Sequence, residues 1–404
     1  MGAPGGVKPG KSGSPYRVMV CDDSAVIRGL LNRALESEQD ISVIASVGDG
    51  KMAVSSIQRN DVEIVILDIE MPVMDGLTAL PLLLQARPGV QVIVASTLTR
   101  RNAEISLKAM SLGATDYVAK PTASELTSAA DFKRDLVLKV RELASSRRRA
   151  EKIPLPLPVS ASAAASLAPT SSPSTQEIKR STPPAPRLAA SSMAAAGAGP
   201  RTPSIRPLSG EGFDILAIGS STGGPQALFK VLTDIRGSVR QPIVITQHMP
   251  ATFTTILAEH ITRISGWPAA EGVDGETLEP GRVYVAPGDF HMLIEGGSAG
   301  RRIKLDKSPP ENFCRPSVDP MLRSVVRSYG RRVLCVILTG MGQDGLVGGK
   351  AVVEAGGSLV AQDEASSVVW GMPGAVAMAG LCGAILPLDQ IGQQINKLAL
   401  RSAA

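Results

Sequence analysis

The chain has 404 residues, a formal net charge of +5, three histidines, four cysteines and 3% aromatic residues, a length that predicts two or three domains with cores of their own. No apolar run reaches the roughly 18–20 residues of a membrane span, and rings for base stacking are too scarce for nucleic-acid binding. The widely spaced cysteines, Cys21, Cys314, Cys335 and Cys382, argue against metal ligation and read as small buried thiols in a reducing, cytoplasmic compartment.

Residues 1–15 lack the apolar core of a signal peptide and read as a disordered N-terminus. From 16 to 146 strand and helix alternate, with apolar runs at Tyr16–Cys21, Ile41–Val47, Val62–Leu67, Val90–Ala95 and Asp116–Ala119. Ser24 suits the cap of a helix whose apolar face is Ile27, Leu30, Leu31, Ala34 and Leu35. Five such repeats predict an α/β fold with a doubly wound parallel sheet. Asp22 and Asp23 fall at the carboxyl end of the first strand, Asp68 at the third, Ser96 at the fourth and Lys120 at the fifth, the edge where such sheets bind ligands. Clustered carboxylates repel unless a cation neutralises them, and all-oxygen ligands suit Mg2+. A carboxylate beside that metal is also a phosphoryl acceptor, with Lys120 balancing the developing charge.

These residues resemble response-regulator receiver domains, through Cys-Asp22-Asp23-Ser, Asp68-Ile-Glu-Met-Pro-Val-Met-Asp-Gly, Ser96-Thr-Leu-Thr and Tyr117-Val-Ala-Lys120-Pro. The resemblance implies that Asp68 accepts phosphate from a histidine kinase and that Asp22, Asp23 and Asp68 hold Mg2+. It makes Ser96, Tyr117 and Lys120 the reporters of the phosphorylated state.

From 147 to 210 the composition turns to Ala, Ser and Pro. Residues 147–208 carry nine basic and two acidic side chains, so the rest of the chain sums to about −2. Such a segment cannot bury enough surface to offset its ordering entropy. It reads as a linker spanning roughly 40–50 Å on average, and the positive charge belongs to this tether.

A second α/β domain is expected over 211–404. It opens on a buried strand, the turn Gly219-Ser220-Ser221-Thr222-Gly223, and a helix from Gln226 to Ile235. In Gly-x-Ser-x-Gly the central Ser221 stands on the crest of a strand-to-helix turn, with backbone N–H groups facing whatever it attacks. A phosphate loop would need lysine where Pro225 stands, and a dinucleotide fingerprint would need glycine at Ser221. Serines that merely cap the helix remain an alternative for the turn alone. Further on, 241–247 is another buried strand ending at His248, and Thr252–Ile264 a helix. Three short strands, 282–287, 291–294 and 302–305, read as a hairpin-rich region. Ser317–Tyr329 is an amphipathic helix, and 332–338 a strand leading to Met341 and Asp344. His260 reads as structural or exposed, and His291 is open to either reading. His248 and Asp344 reach the same sheet edge as Ser221, the residue types of a nucleophile, its base and the acid that orients the base.

The chain order Ser, His, Asp differs from that of the α/β hydrolases. It is similar to the C-terminal domain of the chemotaxis methylesterase (CheB) family, through Ile-Gly-Ser-Ser-Thr-Gly-Gly, Gln-His-Met-Pro, Val285-Ala-Pro-Gly-Asp-Phe-His291, Arg315-Pro-Ser-Val-Asp319 and Leu-Thr-Gly-Met341-Gly-Gln-Asp344-Gly. The resemblance implies Ser221 as nucleophile, His248 as base and Asp344 as orienting acid. Met341 would give a backbone donor to the oxyanion hole, with Thr222 supporting the turn. The implied substrates are glutamate γ-methyl esters and some glutamines on chemoreceptors, with no cofactor for hydrolysis, in a monomer whose unphosphorylated receiver shields the cleft. The long tether predicts loose shielding.

Overall fold

A computed structural model describes residues 13–120, 129–152, 203–297 and 300–401. The N-terminus, most of the expected linker and Pro121 lie outside these residues.

The first body is built from β1 (Tyr16–Cys21), α1 (Ala25–Glu36), β2 (Ile41–Val47), α2 (Gly50–Ile57), β3 (Ile64–Asp68), α3 (Gly76–Ala86), β4 (Gln91–Ser96), α4 (Arg100–Ser111), β5 (Asp116–Ala119) and α5 (Ala129–Glu151). Its strands pair in the order β2-β1-β3-β4-β5, all parallel. Every residue of β3 is buried, as expected of a strand covered on both faces. Ser24 Oγ caps α1 by accepting from Ile27 N. Helix α5 runs five residues beyond the expected boundary at 146. Arg148 there is fully buried and forks onto Glu63 at 2.6 Å through both Nε and Nη2, so it anchors this body and is not tether charge.

The second body comprises β6 (Ile215–Ser220), α6 (Gly224–Ile235), β7 (Ile243–Gln247), α7 (Ala251–Ser265), β8 (Ala269–Glu271), β9 (Val283–Val285), β10 (His291–Gly297), β11 (Gly300–Asp306), α8 (Val318–Tyr329), β12 (Val333–Ile337), α9 (Leu346–Glu354), β13 (Ser358–Gln362), α10 (Met372–Met378), β14 (Ala384–Leu386) and α11 (Leu388–Leu400). Seven strands form one parallel sheet, β14-β13-β12-β6-β7-β9-β8. The strand at 283–285 therefore corrects the hairpin reading: β9 lies in the main sheet, parallel to both β7 and β8, and only β10 and β11 pair as a hairpin. Two apolar layers flank the sheet, one including α6, α7 and α11, the other α8, α9 and α10.

Strand order reverses between β6 and β12, and in the first body between β1 and β3. Ligands collect at such switch points, at the carboxyl edge. The residues after β6 and β12 in one sheet, and after β1 and β3 in the other, are those singled out from the sequence.

Candidate active site

The β6–α6 turn is fastened on three sides. Ser221 N donates to Thr339 O at 3.0 Å, Thr339 Oγ1 to Thr222 O at 2.9 Å, and Gln247 Nε2 to Ser221 O at 2.9 Å. Ser220 Oγ donates to Gln247 Oε1 at 2.7 Å, so Ser220 is buried and engaged while Ser221 faces outward. The left-handed residue of the turn is Gly223, φ 74°, and a Cβ on Gly224 would fall on Gln247 Oε1. Pro225 enters α6 in its first turn, where its missing N–H costs nothing. Among the described residues no partner engages the N–H of Thr222 or Met341, which leaves two donors free at this edge.

Register places the base beside the nucleophile. Ser220 pairs with Gln247 across β6 and β7, and His248 N donates to Ser220 O at 3.2 Å. His248 Nε2 is 2.7 Å from Asp344 Oδ2. The Asp344 carboxylate is buried and also accepts from Val318 N at 2.6 Å, Asp319 N at 3.0 Å, Gly345 N at 2.9 Å and Asn312 Nδ2 at 3.0 Å. Burial alone would raise its pKa. His248 and the backbone donors overcome that and hold it near 2. Burial would likewise lower His248, but the neighbouring Cys314 and Asp344 push it up to about 10. Behind this pair Asp319 accepts from Gly345 N, Gly348 N and Asn312 Nδ2; burial and the neighbouring Asp344 raise its pKa.

His248 and Asp344 are thus joined directly, and Ser221 stands on the adjoining turn. Among the described residues no hydrogen bond joins Ser221 Oγ to His248. Nδ1 faces Cys314 Sγ, 3.4 Å away. This corrects the reading of all four cysteines as buried: Cys21, Cys335 and Cys382 are, whereas Cys314 is partly exposed. His291 is fully buried, with Nδ1 accepting from Ser317 N and Nε2 3.2 Å from Pro309 O, a structural role. His260 is buried against Arg263.

In the first body Asp22, Asp23 and Asp68 present carboxylate oxygens within 4.8 Å of one another. Lys120 Nζ lies 2.6 Å from Asp22 Oδ2 and 2.7 Å from Asp68 Oδ1. Burial raises the Asp68 pKa against the pull of Lys120. Asp22 Oδ2 is buried against the Lys120 ammonium, and a carboxylate oxygen there suits a hard cation. Three such oxygens fit Mg2+. Ser96 Oγ is turned to the Thr97 and Asn102 carbonyls.

The two bodies meet over the serine turn. Thr222 Oγ1 donates to Asp116 Oδ2 at 2.7 Å, and Gln226 Nε2 donates to the Met110 and Ala114 carbonyls. Tyr117 stacks on Phe253 with ring centroids 4.4 Å apart, and Arg134 lies 5.3 Å from the centre of the Phe313 ring. Val368 and Met341 pack against the core of the first body beside fully buried Val369. Tyr117 and Met341, both named from sequence, are therefore part of this contact. Asp116, Gln247, Asn312, Cys314 and Asp319 make site contacts that no role read from sequence assigned them. An acidic residue opening a buried strand, as Asp116 does, is the one legible signal among them.

A family model described as CheB methylesterase matches residues 216–395, and one described as response regulator receiver domain matches residues 18–131. A relative from Paramagnetospirillum magneticum, named protein-glutamate methylesterase/protein-glutamine glutaminase 1, is 55% identical over 404 residues, 97% of this chain and 98% of its own. One from Azospirillum brasilense, named protein-glutamate methylesterase/protein-glutamine glutaminase, is also 55% identical, over 99% of this chain and 97% of its own. The crystal structure of the Thermotoga maritima CheB methylesterase catalytic domain is 39% identical, with a TM-score of 0.45, covering 46% of this chain and 98% of that one. Among the described residues no helix is long and apolar enough to cross a membrane.

Proposed function

The chain belongs to the protein-glutamate methylesterase/protein-glutamine glutaminase family, and on that premise we propose that Ser221, His248 and Asp344 perform ester hydrolysis under control of the phosphorylatable body in front. The observation that carries the reading is the 2.7 Å contact of His248 Nε2 with Asp344, on a histidine whose backbone is bonded to the strand end preceding Ser221. With Nε2–H donated to the carboxylate, Nδ1 is the nitrogen left to act as base.

Nδ1 removes the Ser221 hydroxyl proton as Oγ attacks the carbonyl carbon of a glutamate γ-methyl ester on a chemoreceptor. The N–H groups of Thr222 and Met341 receive the oxyanion; loss of one such donor typically costs about 100–1,000-fold in rate. The tetrahedral adduct collapses, the methoxide takes the proton from Nδ1 and leaves as methanol, and Ser221 remains acylated. Water, deprotonated by the same nitrogen, releases free glutamate and restores the serine. A glutamine follows the same course, with ammonia as leaving group.

Asp68 accepts the phosphoryl group of a chemotaxis histidine kinase in this reading. Asp22, Asp23 and Asp68 would hold Mg2+, which neutralises phosphoryl charge when bound. Lys120 steadies the same anion, and Ser96 and Tyr117 respond to it. The unphosphorylated receiver covers the serine turn through Asp116, Tyr117 and Arg134. Contacts this close argue against loose shielding. A chain 16–146 and 211–404 division into receiver and catalytic domains goes with this reading.

The test is methanol release from methylated receptor peptides by the phosphorylated chain. Ser221→Ala should release none above background, and turnover at the wild-type rate would move the nucleophile elsewhere, Ser220 first.

A further inference from the structure

Two hydrogen donors compete for one lone pair in this site. Asp344 holds Nε2 of His248, so the Ser221 hydroxyl needs Nδ1, and Nδ1 faces the Cys314 thiol at 3.4 Å. The thiol is held there by a tight turn. Glu311 N donates to Cys314 O at 3.2 Å and Cys314 N to Glu311 O at 2.9 Å, with Asn312 and Phe313 both left-handed at φ 52° and 63°. Left-handed backbone at two successive non-glycine residues is unfavourable unless the surroundings enforce it.

The surroundings do enforce it, from several directions. Glu311 receives both guanidinium nitrogens of Arg323, at 2.6 and 3.0 Å. Asn312 Nδ2 bridges Asp319 Oδ2 and Asp344 Oδ1, each at 3.0 Å. Phe313, 86% exposed, spreads its ring beneath Arg134 of α5. The neighbour of this ring across the gap is the receiver. The turn thus joins the catalytic carboxylate, the catalytic imidazole and the regulatory helix.

We propose that Cys314 is a positioning residue for the base: while Arg134 lies over Phe313, the thiol keeps Nδ1 of His248 from Ser221, and release of the 311–314 turn hands that nitrogen to the serine. The proposal rests on the reading of Ser221 and His248 as nucleophile and base. The titratable groups set around the ring are Asp344 from the β12–α9 loop and Cys314 itself, with Asp319 and Arg323 of α8 behind them.

The experiment uses the full unphosphorylated chain and two probes, methanol release against pH and alkylation by iodoacetamide. Cys314→Ala should raise basal kcat about five-fold, the worth of one ordinary hydrogen bond, and move the acid limb of kcat/KM down toward the ordinary imidazole value of about 6.5. Cys314→Ser keeps a hydrogen-bonding group at the same place and should raise kcat less than Cys314→Ala does. Iodoacetamide should label Cys314 at neutral pH in the wild type, and His248→Gln should slow that labelling to the rate of a free thiol. If Cys314→Ala and Cys314→Ser leave rate and limb in place while Ser221→Ala abolishes turnover, the proposal is overturned and the esterase reading stands. If Ser221→Ala retains turnover, the esterase reading fails and the proposal with it. A labelling profile indifferent to His248→Gln overturns the thiol–imidazole contact whichever way the esterase reading falls.

Discussion

Thr222 Oγ1 donates a 2.7 Å hydrogen bond to Asp116 Oδ2, so the residue following the candidate nucleophile is tied to the opening residue of receiver strand β5. Both side chains are buried, at 2% and 6% exposure. Asp116 is further held by Tyr117 N at 2.8 Å, and Lys139 Nζ lies 3.5 Å from its Oδ2. One carboxylate therefore belongs at once to the receiver core and to the contact over the serine turn.

A buried hydrogen bond to a charged group contributes about 1.5–3 kcal/mol, which corresponds to roughly a ten- to hundred-fold change in the population of an uncovered form. Asp116→Ala should raise methanol release by the unphosphorylated full chain by about ten-fold at least. The phosphorylated variant and phosphorylated wild type should turn over alike if phosphorylation releases the serine turn, as proposed. Parallel rate assays with and without a small-molecule phosphodonor check both halves.

How much of this was legible follows from the physics of each element. Strands β1 to β5 could be bounded within two residues because a parallel strand buried on both faces is a continuous apolar run. The place of Ser221 on a strand-to-helix turn was legible because that turn needs glycine at fixed places, and the clustering of Asp22, Asp23 and Asp68 because acids at strand ends stand out against Val and Ile. Strand β9 was misread because Val283 and Val285 alternate with Tyr284 as a hairpin strand would, and nothing local reveals a parallel partner 40 residues earlier. Cys314 carried no signal, since a thiol beside an imidazole is a fact of tertiary contact. The close seating of the two bodies was hidden for the same reason: Tyr117 meets Phe253 across 136 positions of sequence.

Asp344 receives five hydrogen bonds through its two oxygens, and its job in this reading is to fix the tautomer of His248. Asp344→Asn would turn an amide N–H toward either the Nε2–H or the backbone donors. That reverses the preferred tautomer and takes the proton-accepting nitrogen away from Ser221. In a comparable Ser-His-Asp arrangement the same substitution lowers kcat by about 10⁴-fold. The expected outcome is a loss of that order with an unchanged circular dichroism spectrum, checked by steady-state methanol release.

The pH dependence of stability has a definite sign. His248 in the folded chain is raised to about 10 from an ordinary value of 6.5, so the folded state binds the proton more tightly than the unfolded state does. Its contribution to stability is complete below about pH 6.5 and is lost as pH rises through about 10. The urea midpoint of the wild type should therefore fall between pH 7 and 10 more steeply than that of His248→Gln. Equal slopes would show that the imidazolium is not held as described.

Lys120 now neutralises Asp22 and Asp68, and a divalent ion would take over part of that work. Millimolar Mg2+ should raise the melting temperature of the full chain, by mass action on the folded state. Asp22→Asn combined with Asp23→Asn should abolish the shift, and chelation should stop phosphate incorporation from a small-molecule donor. Asp68→Asn should take up no phosphate with the metal present. Differential scanning fluorimetry and phosphate labelling read these separately.

Two glycines of opposite surroundings test how far the serine turn tolerates movement. A Cβ at Gly224 would collide with Gln247 Oε1, the acceptor of the Ser220 hydroxyl, and Gln247 has no room to retreat because its amide nitrogen holds Ser221 O. Gly224→Ala must shift the turn or break these bonds, and each buried partner left unsatisfied costs about 1–3 kcal/mol. A displacement of Ser221 by about 1 Å costs on the order of 100-fold in rate. Gly29 lies inside α1 with nothing within 4 Å of a built Cβ, so Gly29→Ala should stabilise the chain by about 0.5–1 kcal/mol and leave turnover unchanged. Paired melts and methanol-release rates decide the matter: a Gly224→Ala chain as active as Gly29→Ala would mean the turn's close packing does not position the nucleophile.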